Sequence, residues 1–371
     1  MYTTPTKSRM QQAGMSLIEL MIAMVVGLIL MAGVLSIFIS SRQSYGVNSG
    51  VAQVQENGRF ALYFIKHTAR MAGYIACGGS STIGNHLNTP TATTLPFDLA
   101  TPITGFEYSG TAPTNTYNIT AETPAPVGVA NWSPTLVSNF PTSGQGYPIP
   151  GSDVLVVRYT PPTTTAAYVD PANPPTGSTF NLTTNPGIQA GSILAITDCV
   201  NTYIVQADAV SGTNNDVVEI DNSSAEAPGN DVTGIPSSFI GAQVAAATTA
   251  AFYIGEGSDG SPALFEAITD PSAANGFDFN ELVTGVENMQ VLYGIDTSGD
   301  LTPSQYVTAD NVADWTTVVS ARVALLLRSN TAAVPLPTSA QKYTLLDSII
   351  EVPLDTRLRK VFTTTIALRD R

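Results

Sequence analysis

The sequence is poor in the residues that most often carry chemistry. Its 371 residues include only two cysteines and two histidines. Two cysteines are too few for the usual four-ligand zinc site. His67 and His86 lie in patterns that offer neither a nucleophile nor an acid partner, which a catalytic arrangement requires. We therefore expect no enzymatic activity, no metal and no cofactor.

Charged residues are also scarce, at 12%, with 15 Lys and Arg against 29 Asp and Glu and a net charge of −14. Between residues 71 and 321, Arg158 is the only basic residue. Because such an acidic chain repels phosphate backbones, we expect no nucleic-acid partner. The last fifteen positions are instead rich in cations. This basic tail is either an edge strand whose cations discourage aggregation or a docking segment for an acidic neighbouring subunit.

Two short patterns resemble ligand-binding motifs but lack the necessary chemistry. Residues 255–260 satisfy G-x-G-x-x-G, yet two acidic residues within them would repel a pyrophosphate and no convincing helix follows. Residues 296–300 space oxygen ligands like the start of a calcium loop. There, Leu301 and Val307 occupy the positions of the required glycine and the closing glutamate. Both patterns predict turns.

A long uncharged run dominates the N-terminal region. The twenty residues Leu20–Ile39 carry no charge and would form a helix of about 30 Å, the thickness of a bilayer's hydrocarbon core. A secretory signal would be shorter and would end in a small-residue cleavage site. Lys7 and Arg9 precede the run without an acid, and Arg42 is the first cation after it. The positive-inside rule predicts a single-pass span with a cytoplasmic N-terminus and a periplasmic C-terminal region.

Glu19 is an exception beside this apolar run. An ionised carboxylate inside a bilayer costs about 2.5–3.5 kcal/mol unless something neutralises it. Either Glu19 lies at the membrane edge and extends into the headgroups, or it pairs with a cation of a neighbouring subunit. Cleavage between Gly14 and Met15 would create such a cation, a free amine at the head of the helix.

Residues 14–23, Gly-Met-Ser-Leu-Ile-Glu-Leu-Met-Ile-Ala, resemble the prepilin signature of type IV pilins and pseudopilins. The resemblance implies that an inner-membrane prepilin peptidase and methylase cleaves after Gly14 and methylates Met15. It also implies that Glu19 is the assembly glutamate. Met15 departs from the commoner phenylalanine, a change that this family tolerates.

The sequence predicts a long helix followed by a β-rich domain. No proline occurs between Met15 and Gly79, and small or apolar residues recur at steps of three and four from Val47 onward. We therefore expect a helix over residues 15–76 that packs on a domain of residues 77–371, an α+β fold. We expect strands at 153–159, 192–197, 202–207, 217–220, 250–254, 286–293, 317–328 and 360–368, and long loops at 121–150 and 160–186.

The two cysteines, Cys77 and Cys199, fit a domain that faces an oxidising periplasm. They could form a disulfide if the fold brings their Cα atoms within about 4.4–6.8 Å. Such a bond would join the end of the long helix to the sheet. The alternative is two separate buried thiols.

Three further patterns resemble PilW-like minor pilins. They are QENGRFAL at 55–62, VENMQVLYGID at 286–296 and LRKVFTTTIALR at 358–369. The resemblance implies a pilin-like fold and a minor pilin that primes type IV pilus growth and sits at its tip. The implied partners are other minor pilins, the major pilin and the inner-membrane assembly platform. The implied location is the bacterial inner membrane and the pilus.

Two alternatives remain open. A pseudopilin of type II secretion, of the J-like kind, is built on the same signature and the same helix packing. A membrane-tethered binding module or hydrolase would use the helix only as an anchor. That last interpretation predicts a retained leader and indifference to Glu19.

The mature N-terminus tests the prepilin interpretation. We expect the native protein to begin at a methylated Met15, measured by intact mass and N-terminal sequencing. Gly14→Trp should retain the leader, because a bulky side chain would fill the position before the cut. Ser8→Trp, a matched change elsewhere in the leader, should be processed normally. A native chain that begins at Met1 would contradict the interpretation.

Overall fold

The computed structural model describes residues 16–76, 82–88, 99, 101–120, 126–136, 140–162, 165–223, 228–273 and 276–368. One long helix, α1 (Leu17–Ala69), precedes a domain of many strands, which confirms the predicted α+β class. The strands are β1 (Thr82–Asn85), β2 (Ile103–Tyr108), β3 (Thr116–Asn118), β4 (Trp132–Ser133), β5 (Val154–Tyr159), β6 (Ala167–Tyr168), β7 (Thr179–Asn181), β8 (Ile193–Thr197), β9 (Asn201–Gln206), β10 (Ala209–Ser211), β11 (Val217–Glu219), β12 (Gln243–Ala246), β13 (Thr248–Glu256), β14 (Pro262–Thr269), β15 (Phe277–Thr284), β16 (Val286–Ile295), β17 (Gln305–Val307), β18 (Val318–Arg328), β19 (Gln341–Leu345), β20 (Ser348–Val352) and β21 (Arg359–Ala367).

The strands of the described residues form five sheets. The sheet that matters most for the helix has four strands in the order β17-β16-β18-β21, and we call it the docking sheet. A six-stranded sheet, β15-β14-β13-β5-β2-β4, adjoins it, and the others are β1-β9-β8-β12-β6, β10-β11-β7 and β19-β20-β3. Pairing within the docking sheet is antiparallel throughout.

The predicted strands are all present, each within two residues of its predicted ends. The windows predicted as long loops contain only β4 in 121–150 and β6 and β7 in 160–186. Residues 121–125, 137–139 and 163–164 of these windows lie outside the described residues. Residues 1–15 also lie outside the described residues, so the predicted domain boundary at residue 14 stays a prediction. The predicted boundary at residue 76 stays a prediction as well.

The helix ends at Ala69 and not at the predicted residue 76. After a turn, Gly73 adopts a positive φ of 78° and its N–H donates to the carbonyl of Arg158 at 3.0 Å. Thr160 N–H then donates to the carbonyl of Tyr74 at 2.8 Å. Residues 73–76 thus satisfy their backbone groups against the end of β5, which a continued helix would prevent.

The main core lies between α1 and the sheets. Val54, Ala61 and Ile65 of the helix are fully buried against apolar residues of β16 and β18, such as Met289 and Leu325. A second core fills the space between the sheet of β8 and β9 and the sheet of β11, around Phe180. The helix is therefore part of the principal core, and its burial stabilises the domain.

Two carboxylates are buried where the six-stranded sheet meets the docking sheet. Glu107 on β2 is 4% exposed and Asp153, just before β5, is 2% exposed. Asp153 accepts the N–H groups of Tyr108 at 3.0 Å and Val291 at 2.8 Å, and Glu107 accepts the hydroxyl of Thr111 at 3.2 Å. Burial, and then repulsion from Asp153, raises the pKa of Glu107. Burial raises the pKa of Asp153 despite its two backbone hydrogen bonds.

This pair predicts a pH-dependent stability. Because both pKa values are raised on folding, the folded protein holds more protons than the unfolded chain. The free energy of unfolding is therefore highest below the ordinary carboxyl pKa and falls as the pH rises through the raised values, by up to about 1.4 kcal/mol per pH unit for each extra proton.

Glu107→Gln, which mimics the neutral carboxyl, should flatten this decline and exceed the parent in stability at about pH 9. Denaturant unfolding of the detergent-solubilised full chain measures both profiles. Glu56→Gln, at an exposed position of α1, is the matched control. A parent whose stability does not fall between about pH 5 and about pH 9 would contradict the prediction.

Candidate functional site

The helix begins with a reciprocal capping arrangement around Glu19. Ser16 is the N-cap; its hydroxyl accepts the Glu19 N–H, and the Glu19 carboxylate accepts the Ser16 N–H, both at 3.2 Å. The carboxylate is exposed and lies at the positive end of the helix dipole. Gly14 and Met15, the predicted cleavage residues, lie outside the described residues. The carboxylate is thus held beside the residue that would follow the predicted new terminus.

The first half of α1 is exposed along its length. Every large apolar side chain from Leu17 to Ile39 is between 49% and 79% exposed. The helix is long and apolar enough to cross a membrane, and its most apolar window is entirely unburied. Soluble monomers rarely expose so large an apolar surface, so this half requires lipid or other helices around it.

The second half of α1 packs closely on the docking sheet through two glycines. A Cβ atom added at Gly58 would lie 2.6 Å from the ring of Phe362 on β21. A Cβ atom at Gly50 would lie 2.7 Å from the Cβ of Ala333, just beyond β18. Only glycine at both positions allows the helix backbone to approach the domain this closely.

Polar contacts hold the same half of the helix in register. The Asn57 side-chain amide donates to the carbonyl of Thr284 at 3.0 Å. The backbone N–H of Asn330 donates to the side-chain carbonyl of Gln53 at 3.2 Å. Each contact joins the helix to a strand end, so the helix cannot slide along the sheet without breaking both.

The docking sheet brings together the three patterns that suggested the family. Gly58 of the first pattern contacts Phe362 of the third. Glu287 of the second accepts two hydrogen bonds from the Arg359 guanidinium of the third, at 2.6 and 2.9 Å. Segments separated by more than 200 residues in the chain thus form one packing unit around α1.

A buried ion cluster holds the strands of this unit. Glu287 and Arg328 are each 1% exposed by side chain and lie 3.4 Å apart. Arg359 also bonds both carboxylate oxygens of Asp355, at 2.7 and 2.6 Å. Burial alone would raise the pKa of Asp355, but hydrogen bonds from Arg359 and from the Arg357 backbone hold it below its ordinary value. Loss of one partner from such a cluster costs about 3–5 kcal/mol.

Contacts inside the domain hold two cations of the basic tail, Arg357 and Arg359. Arg359 is committed to Glu287 and Asp355, and Arg357 donates to the carbonyl of Ser329 at 3.0 Å. β21 lies at the edge of the docking sheet, as the edge-strand interpretation predicts. Arg369 and Arg371 lie outside the described residues.

The second pattern also positions the backbone of the adjoining sheet. The side-chain amides of Asn288 and Gln290 both donate to the carbonyl of Gly151, at 2.6 and 2.9 Å. An added Cβ at Gly105 would lie 1.8 Å from the buried Tyr293 hydroxyl oxygen. The side chains of this pattern therefore hold the two sheets together.

The remaining sequence candidates do not converge on a site. The 255–260 pattern is the turn between β13 and β14, where Gly257 N–H donates to the carbonyl of Ser261. Asp296 accepts the N–H groups of residues 298, 299 and 301, which makes its segment the predicted turn. His67 lies on α1, and His86 contacts Asp231 at 3.1 Å. Among the described residues no group of His, Cys, Asp and Glu could hold a metal ion.

Cys199 lies in the turn between β8 and β9, with a φ of 71°, and is disulfide-bonded. Its predicted partner, Cys77, lies outside the described residues, so the pairing stays a prediction. The nearest described residues place the two chain regions together. Ile75 packs against Ile193 and Ile204 of these strands, and Thr82 N–H donates to the carbonyl of Val200 at 2.9 Å.

Comparison with known proteins assigns both ends of the chain. The protein-family model described as Type IV Pilus-assembly protein W matches residues 251–370, and the family model described as Prokaryotic N-terminal methylation motif matches residues 9–35. No curated protein and no solved structure matches the chain significantly. The first match covers all four strands of the docking sheet, and the second covers the exposed first half of α1 up to Leu35.

The Gly58 contact generates a stability prediction. Gly58→Ala should lower the free energy of unfolding by about 1–3 kcal/mol, because the new methyl group overlaps the ring of Phe362. Gly46→Ala is the matched control: its Cβ would lie 3.8 Å from the nearest atom, so it should be neutral or stabilise by up to about 1 kcal/mol through helix propensity.

Adding Phe362→Leu to Gly58→Ala should recover part of the loss, as a double-mutant cycle of a direct contact predicts. Denaturant unfolding of the detergent-solubilised chain measures the parent, the Gly46→Ala control and the three variants of the cycle: Gly58→Ala, Phe362→Leu and their combination. Equal stabilities of the Gly58→Ala and Gly46→Ala variants would contradict the close contact.

Proposed function

We propose that this chain, a PilW-like prepilin by the matches at its two ends, is a minor pilin that joins and primes the type IV pilus through lateral packing of α1. The observation that carries the proposal is the exposed half-helix with a carboxylate at its head. No other described element of the chain buries this surface. An assembly of similar helices would cover it.

The processing step follows from the same region. We propose that a prepilin peptidase and methylase cuts between Gly14 and Met15 and methylates Met15. The new amine would then lie four residues from Glu19, at the positive end of the helix. In a bundle of such helices, Glu19 would pair with the amine of a neighbouring subunit, which removes the cost of an unpaired carboxylate in an apolar environment.

We further propose that the chain resides in the bacterial inner membrane with its N-terminus inside and its domain in the periplasm, and that it enters the pilus from there. Its partners would be the major pilin, other minor pilins and the assembly platform, and a place at the tip would suit its large domain.

A type II secretion pseudopilin would use the same helix in the same way. The match to a pilus-assembly protein favours the pilus. A membrane tether for a binding module or hydrolase would not require α1 to pack closely on the docking sheet, because a flexible attachment is enough for a tether. We assign the chain no catalytic role.

Glu19→Ala tests the assembly role. The variant should be inserted and processed like the parent but should fall at least about tenfold in sheared pili or in the co-purified priming complex. Removing one partner of a buried ion pair costs about 3–5 kcal/mol, which exceeds the about 1.4 kcal/mol of a tenfold change. Immunoblots of the cell and pilus fractions measure the partition, and intact mass confirms processing.

Glu56→Ala is the matched control, because it removes the same charge from an exposed position of the docked half of α1. It should enter pili like the parent. Parent-like levels of the Glu19→Ala variant in sheared pili would contradict the proposal. Equal loss of both variants would indicate a general effect of helix charge and would contradict it as well.

A further inference from the structure

Two loops of the domain lie next to the point where α1 leaves it. We call residues 331–337 and 353–356 the base loops. The carbonyl of Thr356 accepts the N–H groups of Ala333 at 2.8 Å and Val334 at 2.9 Å. Two hydrogen bonds to one carbonyl hold the base loops together, so they form a single surface at this end of the domain.

The base loops reach the level where the uncharged run of α1 ends. A groove of about 870 Å³ separates them from the helix, lined by Phe38, Ile39 and Arg42 on one side and by residues 332–335 on the other. Phe38 and Ile39 are the last two residues of the uncharged run. Higher up, Gly46 faces the carbonyl of Ala332, 3.8 Å from an added Cβ.

The rise of the helix per residue gives the distance of each contact from the hydrocarbon core of the membrane. Gly46 lies seven residues beyond Ile39, about 10 Å along the axis at about 1.5 Å per residue. The headgroup layer on each side of the hydrocarbon core is roughly 5–7 Å thick. At this spacing Ala332 lies just above the headgroups, and the groove that residues 332–335 share with Phe38 and Ile39 extends from there to the end of the uncharged run.

The chemistry of this surface fits a lipid bilayer. Leu336 and Leu354 are 61% and 55% exposed, one on each base loop. Although the chain carries 29 acidic residues, none occurs between Glu19 and Glu56 or from residue 315 to residue 346. A surface that is apolar and nearly free of carboxylates avoids repulsion by anionic headgroups.

The charged groups near this surface have defined roles. Asp355 is the one carboxylate on the base loops, and both of its oxygens are bonded to Arg359. The Arg357 side chain turns inward to the carbonyl of Ser329. Arg42 is exposed, 5.7 Å from the Phe38 ring centre, at the depth of lipid phosphates.

We propose that the base loops rest on the bilayer that α1 crosses, with Leu336 and Leu354 inserted at the headgroup level and Arg42 at the lipid phosphates. This inference rests on the membrane-anchored state of the proposed function. Two attachments, the helix and the base loops, would fix the orientation of the domain on the membrane before assembly, and they would present one constant face to incoming subunits.

Tryptophan quenching in liposomes tests the contact. The full chain is reconstituted in phosphatidylethanolamine and phosphatidylglycerol vesicles that carry bromine either near the headgroup or deep in the acyl chain. The Leu336→Trp and Leu354→Trp variants should each be quenched about twofold more than the parent by the shallow bromine, as a tryptophan at the interface would be. The deep bromine should affect them less. Bromine in both leaflets makes the readout independent of the direction of insertion.

Leu301→Trp is the matched control for these variants. Leu301 is 66% exposed and follows β16 at the end opposite Ser329, because Val286 pairs with Leu327 and Ile295 pairs with Val318. Ten strand residues separate the two ends by about 33 Å. This variant should show no more quenching than the parent, whose Trp132 and Trp315 set the background.

Leu28→Trp separates this inference from the proposed function, because it reports the span alone and should be quenched by the deep bromine. Quenching at residue 28 without quenching at 336 and 354 would overturn the base-loop contact and leave the anchored state intact. No quenching at residue 28 would overturn both. Quenching at 336 that is lost as the protein-to-lipid ratio rises would indicate that a second copy covers this residue and would overturn the lipid assignment.

Discussion

The close contact between Gly58 and the ring of Phe362 is the constraint on which the rest of the structure depends. A single continuous helix has to lie in two environments, with one half exposed and apolar and the other half buried in a protein core. Because α1 has no break between Leu17 and Ala69, the position of the domain relative to the exposed half is set by how the buried half is seated. The two glycines bring the backbone near the sheet, and Gln53 and Asn57 prevent it from sliding.

Buried ion pairs join the strands on which the docked half of α1 packs. The domain is strongly acidic, yet the strands that receive the helix are joined by Glu287, Arg328 and Arg359, with Asp355 completing the cluster. Buried ion clusters are costly to break and contribute little net stability when intact, so their value here is to specify which strands lie side by side. In the second buried pair, burial raises the pKa of Glu107 and of Asp153, and Asp153 joins the six-stranded sheet to β16 through the Val291 N–H.

These features explain why the family match covers residues 251–370 and leaves the middle of the chain unmatched. The matched region supplies the docking sheet and the hairpins beside it, which form the surface on which the docked half of α1 packs. The separate core around Phe180 is built mainly from residues of the unmatched region, and among the described residues it includes none of α1. The minor-pilin role proposed for the chain rests on how α1 packs on the docking sheet and on the exposed half of the helix.

The sequence by itself determined the helix, its apolar half, the position of Glu19, the α+β class and eight strands, because hydrophobic periodicity and the absence of proline are local signals. Tertiary structure decided the rest. The stop at Ala69 depends on Arg158 and Thr160, distant residues that take over the backbone bonds of 73–76. β2 and β14 gave weak local signals, since Gly105 interrupts one and Pro262 begins the other, and each exists because a neighbouring strand pairs with it. The contacts of Gly58 with Phe362 and of Glu287 with Arg359 join residues that no local pattern connects, because only the packed sheet brings them within reach.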